Sequence, residues 1–309
     1  MRIGLDVGGT KTDVVAVTPA GEIIARARRP SGWGAEAVVA TVIAAVRDLA
    51  AESGIAPSSL ASIGIGVPGQ IVPGTGRVTH AVNLGIEDLD LAALVGAALG
   101  VPTTVENDVK AATRGALALR GSGRGSLAYL NLGTGVAAGI AMAGEVWRGA
   151  RGAAGEIGHI SIDPHGPECP CGQRGCIEAY AGGGSLARRW GEPGDLPVRD
   201  VFDAAERGDA RAIPLRDGLA FGVAAAVRVL VLSADVDTVV LGGGLTALGD
   251  RMLRPVLSEL ETRAAASPFL RSLHLPERVD VLAPGSPAAA LGAALVGAST
   301  HEQETLTRG

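Results

Sequence analysis

Aromatic side chains make up only 3% of the 309 residues, too few for a base-stacking surface or an aromatic-lined sugar platform. Lysine is also scarce: Lys11 and Lys110 are the only two, and the other basic side chains are arginines and a few histidines. A formal net charge of −5 argues against nucleic acid as the main partner. Three cysteines do not make a disulfide framework. The most apolar stretch, Leu219 to Ala234, carries Arg228 and is too short to span a bilayer. No low-complexity linker interrupts the chain, and Met1 to Asp6 leads straight into a strand without a signal-like segment. A cytoplasmic protein without a membrane partner is therefore expected. What is present, 47% hydrophobic and 19% charged residues, is the composition of a globular chain long enough for two domains.

The cysteines that do occur, Cys169, Cys171 and Cys176, fall within eight residues, and His159 precedes them by ten. One imidazole and three thiols make a Cys₃His set that suits zinc, which takes four N/S ligands tetrahedrally in structural sites. Pro170, Gly172 and Gly175 supply the tight turns of such a knuckle. A closed site of this kind activates no water, so its chemical value lies in what it positions. Glu156 and Glu178 bracket the ligands, and metal binding at one nitrogen of His159 fixes the direction of the other. The knuckle is thus expected to present Glu156, His159 and Glu178 to a polar substrate.

Two apolar runs, Ile3 to Val7 and Val14 to Val17, predict a hairpin around Gly8-Gly9-Thr10. Glycine N–H groups and a threonine hydroxyl can cradle phosphate oxygens there, and Asp6 is placed to hold magnesium through water. The pattern recurs. Leu130-Asn131-Leu132-Gly133-Thr134-Gly135 repeats the strand and turn, and Ala143-Gly144-Glu145-Val146 repeats Ala20-Gly21-Glu22-Ile23 at nearly the same offset. Such recurrence implies a duplicated domain, with two phosphate-holding hairpins facing each other across a cleft.

Between the copies, the spacing predicts a helix over 35–53, a strand over 63–67 running into Pro68-Gly69, and a loop carrying Asn83. A helix over 88–99 and a strand over 102–105 follow, delivering Glu106-Asn107-Asp108 to a helix over 109–119. Asp108 can be read as a helix cap or as an ionised carboxylate that accepts a proton from a hydroxyl. Later come helices over 201–207 and 212–233, the second a core helix, and a strand over 236–241. That strand ends in Gly242-Gly243-Gly244, where backbone can pass close against a flat ligand such as adenine. A helix over 250–265, a strand over 279–282 and a helix over 287–297 complete the fold, with residues 301–309 frayed. The expected division is a small domain, 1–115, completed by a helix at about 290–300, and a large domain, 116–289, containing the knuckle at 159–178. Any hinge falls near 112–124 and 290.

With these pieces in place the chain resembles the ROK family of bacterial sugar kinases, repressors and related open reading frames. The resemblance runs over Leu5 to Lys11, Glu106-Asn107-Asp108, Leu132 to Gly135, the Glu156 to His159 and Cys169 to Glu178 segments, and Leu241 to Gly244. It implies an actin-like (ribonuclease H-like) ATPase fold of class α/β, a homodimer, and ATP with magnesium as phosphoryl donor. It further implies zinc on His159, Cys169, Cys171 and Cys176, and Asp108 as catalytic base. Gly69, Asn83, Asn107, Asp108, Glu156, His159 and Glu178 become candidate sugar-binding residues. The nucleotide is assigned to Asp6, Gly8, Gly9, Thr10, Lys11, Thr12, Gly133, Thr134, Gly135, Gly242, Gly243 and Gly244.

The chemistry implied is in-line phosphoryl transfer to the 6-hydroxyl of a hexose, with domain closure excluding water. Repressors of the family carry a helix-turn-helix ahead of the kinase-like part, whereas the first strand here starts at residue 3, so DNA binding is not expected. Cys169-Pro170-Cys171 departs from the fructokinase branch. Family glucokinases often have a tryptophan shortly after the position of Asn83; here the run is Asn83-Leu84-Gly85-Ile86-Glu87, which leaves room for an acetamido group. The expected sugar is N-acetylglucosamine, with glucose as the alternative. A non-catalytic sugar sensor is the reading from a different class.

Overall fold

A computed structural model describes residues 1–121 and 125–297. The expected frayed end at 301–309 and part of the expected hinge, 122–124, lie outside the described residues. The chain divides into two compact units. The first comprises described residues 1–121, 143–154 and 287–297, and the second Gly125–Met142 and Gly155–Ser286.

In the first unit, Arg2–Val7 (β1), Lys11–Val17 (β2) and Ile23–Pro30 (β3) form two consecutive antiparallel hairpins. Ser62–Val67 (β4) and Thr103–Asn107 (β8) extend the sheet in parallel, giving the order β3-β2-β1-β4-β8. Every residue of β4 is buried, as a strand covered on both faces requires. The helix Ala35–Glu52 (α1) turns Val38, Val42, Ala45, Val46 and Leu49 inward at helical spacing. They pack with Ile3, Leu5, Ile63 and Ile65 into one core.

On the other side lies the C-terminal helix Ala288–Val296, against the sheet and against Asp108–Arg120 (α3). Small residues decide this contact. A Cβ on Gly4 would sit 2.0 Å from Ala290 O, one on Gly64 1.8 Å from Ala293 O, and one on Gly292 1.7 Å from Ala111 O. Backbone therefore meets backbone, and any side chain at these positions would force the helix away.

The stretch expected to be a loop around Asn83 is more ordered than its composition suggests. Gln70–Val72 (β5), Arg77–Ala81 (β6) and Ile86–Leu89 (β7) make a small antiparallel sheet, and Asn83 sits in the single 3₁₀ turn Val82–Leu84. The expected helix over 88–99 consequently starts later, at Leu91–Leu99 (α2), where Asp90 caps it by accepting from Ala93 N–H. These strands are too short for a periodicity signal to register.

The second unit repeats the plan. Leu127–Leu132 (β9) pairs antiparallel with Val136–Met142 (β10), while Thr238–Gly242 (β12) and Val279–Val281 (β13) add in parallel, in the order β10-β9-β12-β13. This matches β2-β1-β4-β8. The turns Gly21 and Gly144 share left-handed backbone, φ 90 and 84, as the sequence repeat requires. Glu145–Trp147 (β11) and the residues after it belong with the first unit, an excursion that a division at residue 115 does not contain. It is anchored there by Arg148 on Glu106 and by Lys110 on Gly152. Ala212–Ala234 (α7) is long and apolar enough to cross a membrane, but more than half of its apolar window is buried inside this unit, as a core helix would be.

If close approach at the C-terminal helix holds the first unit together, Gly292→Ala should cost about 1–3 kcal/mol, the usual scale of overpacking. Gly21→Ala, where a Cβ meets nothing within 4 Å, should cost only its backbone strain. Urea unfolding of the two variants checks the order.

Candidate active site

In the first unit the β1–β2 turn is closed by Gly8 N–H donating to Lys11 O at 2.9 Å. Gly9, Thr10 and Lys11 are exposed on it. A Cβ on Gly9 would lie 2.9 Å from Asn83 O, so this turn and Asn83 are immediate neighbours. Thr12 does not join them. It is fully buried, with its hydroxyl 2.9 Å from Ser31 Oγ, because strand alternation turns it inward. The expectation that Thr12 serves the nucleotide is corrected accordingly: it shapes the hairpin.

Asp6, near the end of β1, feels Asp108 and Asp13. Burial first, and then these two carboxylates, raise its pKa from 3.8 to about 7, against opposing effects of Lys11 and Arg28. A carboxylate cluster that cannot ionise fully on its own suits a hard cation, and magnesium fits the oxygen donors present.

Asp108 is the first residue of α3, but the cap is Asn107. Its Oδ1 accepts from Val109 N–H (3.1 Å) and Lys110 N–H (3.2 Å), while its Nδ2 donates to Gly69 O (3.2 Å). That arrangement spares Asp108 the capping role. Its Oδ1 accepts from Val109 N–H at 2.9 Å, and the helix dipole favours the ionised form.

Behind it stands a pair without an assigned role in the sequence reading. Buried Glu106 accepts from Asn107 N–H (2.9 Å) through one oxygen and from Arg148 (2.7 and 2.8 Å) through the other. Glu106 was visible as part of Glu106-Asn107-Asp108. Arg148 carries no local signal, because its partner is far away in sequence.

Trp33 also reaches this region. Gly34 N–H donates to Leu84 O at 2.7 Å, and a Cβ on Gly85 would fall 2.8 Å from Cε2 and Nε1 of the indole.

In the second unit, segment 155–159 lies flush on β10. Ala138 N–H donates to Gly155 O at 2.8 Å. A Cβ would come within 1.7 Å of Ala138 O at Gly155 and within 1.9 Å of Val136 O at Gly158. This contact fixes on β10 the segment that carries Glu156 and His159, both exposed. Glu178 reaches the Gly133–Gly135 turn: its Oε2 accepts from Val136 N–H at 2.9 Å, and a Cβ on Gly135 would meet that oxygen at 2.5 Å. Gly183 and Gly184 donate to Gly133 O and Thr134 O, both at 2.9 Å, closing the turn from the other side. At Gly242 a Cβ would strike the Tyr129 ring, and at Gly243, φ 88, it would strike Leu132 O. Only Gly244 has open space. Packing alone thus demands glycine at the first two positions.

The knuckle residues assemble as expected from their spacing. The ligand atoms of His159, Cys169, Cys171 and Cys176 all lie within 4.8 Å of one another. Cys171 and Cys176 sulfurs are 3.7 Å apart, and Cys169 Sγ is 3.9 Å from His159 Nδ1. Edges of a tetrahedron with zinc bonds of about 2.0–2.3 Å are about 3.5–3.8 Å, so the donors fit one zinc ion. Gln173 binds the set from outside, donating to His159 O (3.1 Å) and Cys171 Sγ (3.5 Å), and its hydrogen bonds pull the Cys171 thiol down to about 6. Burial pushes Cys176 up to about 12. Tyr180 donates to Asp163 at 2.6 Å, tying the knuckle to the helix that follows it.

The duplicated sheets, glycine turns and Cys/His cluster define the actin-like ATPase class in its sugar-kinase form. The ROK family model matches residues 2–298. A glucokinase of Halalkalibacterium halodurans is 32% identical, over 85% of this chain and 86% of its own length. An N-acetylmannosamine kinase of Yersinia pestis is 31% identical, over 79% and 82%. Among solved structures, the ROK hexokinase of Thermus thermophilus superposes with a TM-score of 0.79 at 30% identity, over 100% of this chain and 99% of its own. A ROK glucokinase of Streptomyces griseus, in complex with glucose and AMPPNP, gives 0.77 at 28% identity, over 96% and 98%. The chain belongs to the ROK family.

The raised pKa of Asp6 has a measurable consequence. Between 3.8 and about 7 the folded chain keeps a proton that the unfolded chain releases, so stability in the absence of divalent cation falls as pH rises through that window and levels off above it. Asp6→Asn should flatten this slope, as urea unfolding at a series of pH values will show.

Proposed function

We propose that this ROK-family sugar kinase transfers the γ-phosphoryl group of ATP to the 6-hydroxyl of an aldohexose, with Asp108 accepting the hydroxyl proton. The observation that carries this reading is the placement of Asp108. Its carboxylate stands at the start of α3, relieved of capping by Asn107, and close enough to Asp6 to raise that group's pKa. Glu106, Arg148 and Gly69 brace it through Asn107. A general base must be rigidly aimed, and these contacts supply the aim.

The remaining roles follow the donors each residue offers. Amide groups of the Gly8–Lys11 and Gly133–Gly135 turns, with Gly244, are assigned to the nucleotide, and Asp6 to its magnesium. Magnesium, when bound, neutralises phosphate charge during a transfer that otherwise needs mainly positioning. Asn83, Asn107, Glu156, His159 and Glu178 are assigned to sugar hydroxyls. Nδ1 of His159 is the nitrogen beside Cys169, which leaves Nε2 for the sugar. Zinc on the four knuckle donors would hold that ring and Glu178's helix in place. The proposed setting is a cytoplasmic homodimer.

Glucose is the proposed acceptor. An acetamido group needs room after Asn83, and the indole of Trp33 stands against Gly85, taking up part of that room. An N-acetylated hexose is the second reading, favoured by the likeness to the N-acetylmannosamine kinase.

ATP-dependent turnover of glucose, N-acetylglucosamine, N-acetylmannosamine, glucosamine, mannose and fructose tests the proposal. Glucose should lead, and Asp108→Asn should lower turnover by about 10² or more with glucose binding retained in calorimetry. Turnover near that of the unmodified protein in Asp108→Asn would remove the base assignment. Absence of turnover with every sugar would favour a sensor. For the knuckle, the purified protein should contain one zinc per chain. Chelation or Cys171→Ser should lower both thermal stability and sugar affinity, and a zinc-free chain of undiminished stability would refute the assignment.

A further inference from the structure

We propose that Trp33 touches the hexose, its indole forming an apolar wall beside Asn83 that helps decide which sugar is accepted; this rests on the assignment of Asn83 to the sugar made above. Three contacts hold the ring where it is. At Gly32 a Cβ would come within 2.5–2.7 Å of Ala37 atoms, so the loop before α1 is pressed onto that helix. Gly34 N–H donates to Leu84 O at 2.7 Å, tying the loop to the turn that carries Asn83. The indole, through Cε2, Nε1 and Cζ2, occupies the space where Gly85 would otherwise carry a side chain. Gly9, Asn83, Gly85 and Trp33 are therefore linked by successive contacts, running from the phosphate turn to the ring.

The exposure of this ring is the second observation. Trp33 is 69% exposed although its loop is pinned, whereas Trp190 is buried at 8% under the guanidinium of Arg211. Since Gly85 lies against one face of the indole, over Cε2 and Nε1, the opposite face is what remains to be offered. A hexose has C–H surfaces as well as hydroxyls, and a rigid aromatic face covers C–H surface at little entropic cost. The polar partners on Asn83's side and one apolar wall are the usual complement of a small-ligand site. Scarcity of aromatics excludes a platform of several rings; it does not exclude this single one.

Trp33→Ala, Trp33→Phe and Asn83→Ala, compared with the unmodified protein in steady-state kinetics on glucose and N-acetylglucosamine, separate the possibilities. Trp33→Ala should raise the sugar KM about three- to tenfold, leave the ATP KM and kcat within about twofold, and change the ratio between the two sugars. Trp33→Phe should recover most of the loss. In a chain carrying Trp147→Phe and Trp190→Phe, Trp33 is the sole tryptophan, and saturating glucose should protect its fluorescence from acrylamide quenching. Asn83→Ala raising the sugar KM while Trp33→Ala does not, or Trp33 remaining fully quenchable with glucose bound, overturns the role of Trp33 and leaves the kinase reading intact. Failure of the unmodified protein to phosphorylate any hexose overturns both.

Discussion

Backbone laid directly against backbone, with glycine as the only residue that fits, is the constraint on which both units depend. Segment 155–158 lies on β10 only because Gly155 and Gly158 have no Cβ to strike Ala138 and Val136, and this contact fixes the backbone on either side of Glu156 and before His159. The same device seats the C-terminal helix on β1, β4 and α3 through Gly4, Gly64 and Gly292. Such contacts contribute little apolar area each. They act by allowing elements to approach closely enough for polar groups to be shared, as when Glu178 reaches the amide of Val136.

Electrostatics adds the next layer. In the first unit the end of β1 collects Asp6, Asp13 and Asp108 around a region where burial already disfavours charge, so Asp6 keeps its proton up to about pH 7. In the second unit, the Cys/His cluster sits in a loop that has little regular secondary structure of its own. Its donors are fixed by Gln173 and by the Tyr180–Asp163 bond. Positioning of this kind is what a phosphoryl transfer asks of a protein. Glu106 and Arg148 belong to the same logic, since a buried carboxylate without its guanidinium would cost several kcal/mol.

Much of the architecture could be read from local pattern. The two hairpins, the repeat of Gly8-Gly9-Thr10 in Gly133-Thr134-Gly135, helix α1, helix α7 and the Cys/His set all rest on spacing within a few residues, and spacing is what a sequence displays. Harder features involve partners far apart in the chain. The small sheet β5–β7 leaves no periodic pattern in the sequence because its strands run three to five residues. Thr12 was assigned to a ligand because nothing in Gly-Gly-Thr-Lys-Thr reveals which threonine alternation turns inward.

The sequence by itself determined the duplicated α/β plan, the grouping of one histidine with three thiols, and the delivery of Asn107 and Asp108 to a helix start. These follow from periodicity, turn chemistry and donor type. Tertiary structure alone decided that Asn107, not Asp108, caps that helix, and that Gly242 and Gly243 are required by Tyr129 and Leu132. It also decided that Trp33 from the loop after β3 fills the space beside Gly85. The physical reason is common to all three. Each involves backbone or a ring from a distant segment, Gly69 O holding the Asn107 amide, Tyr129 and Leu132 meeting the glycines, and Trp33 meeting Gly85, and only the folded chain brings those segments within contact distance.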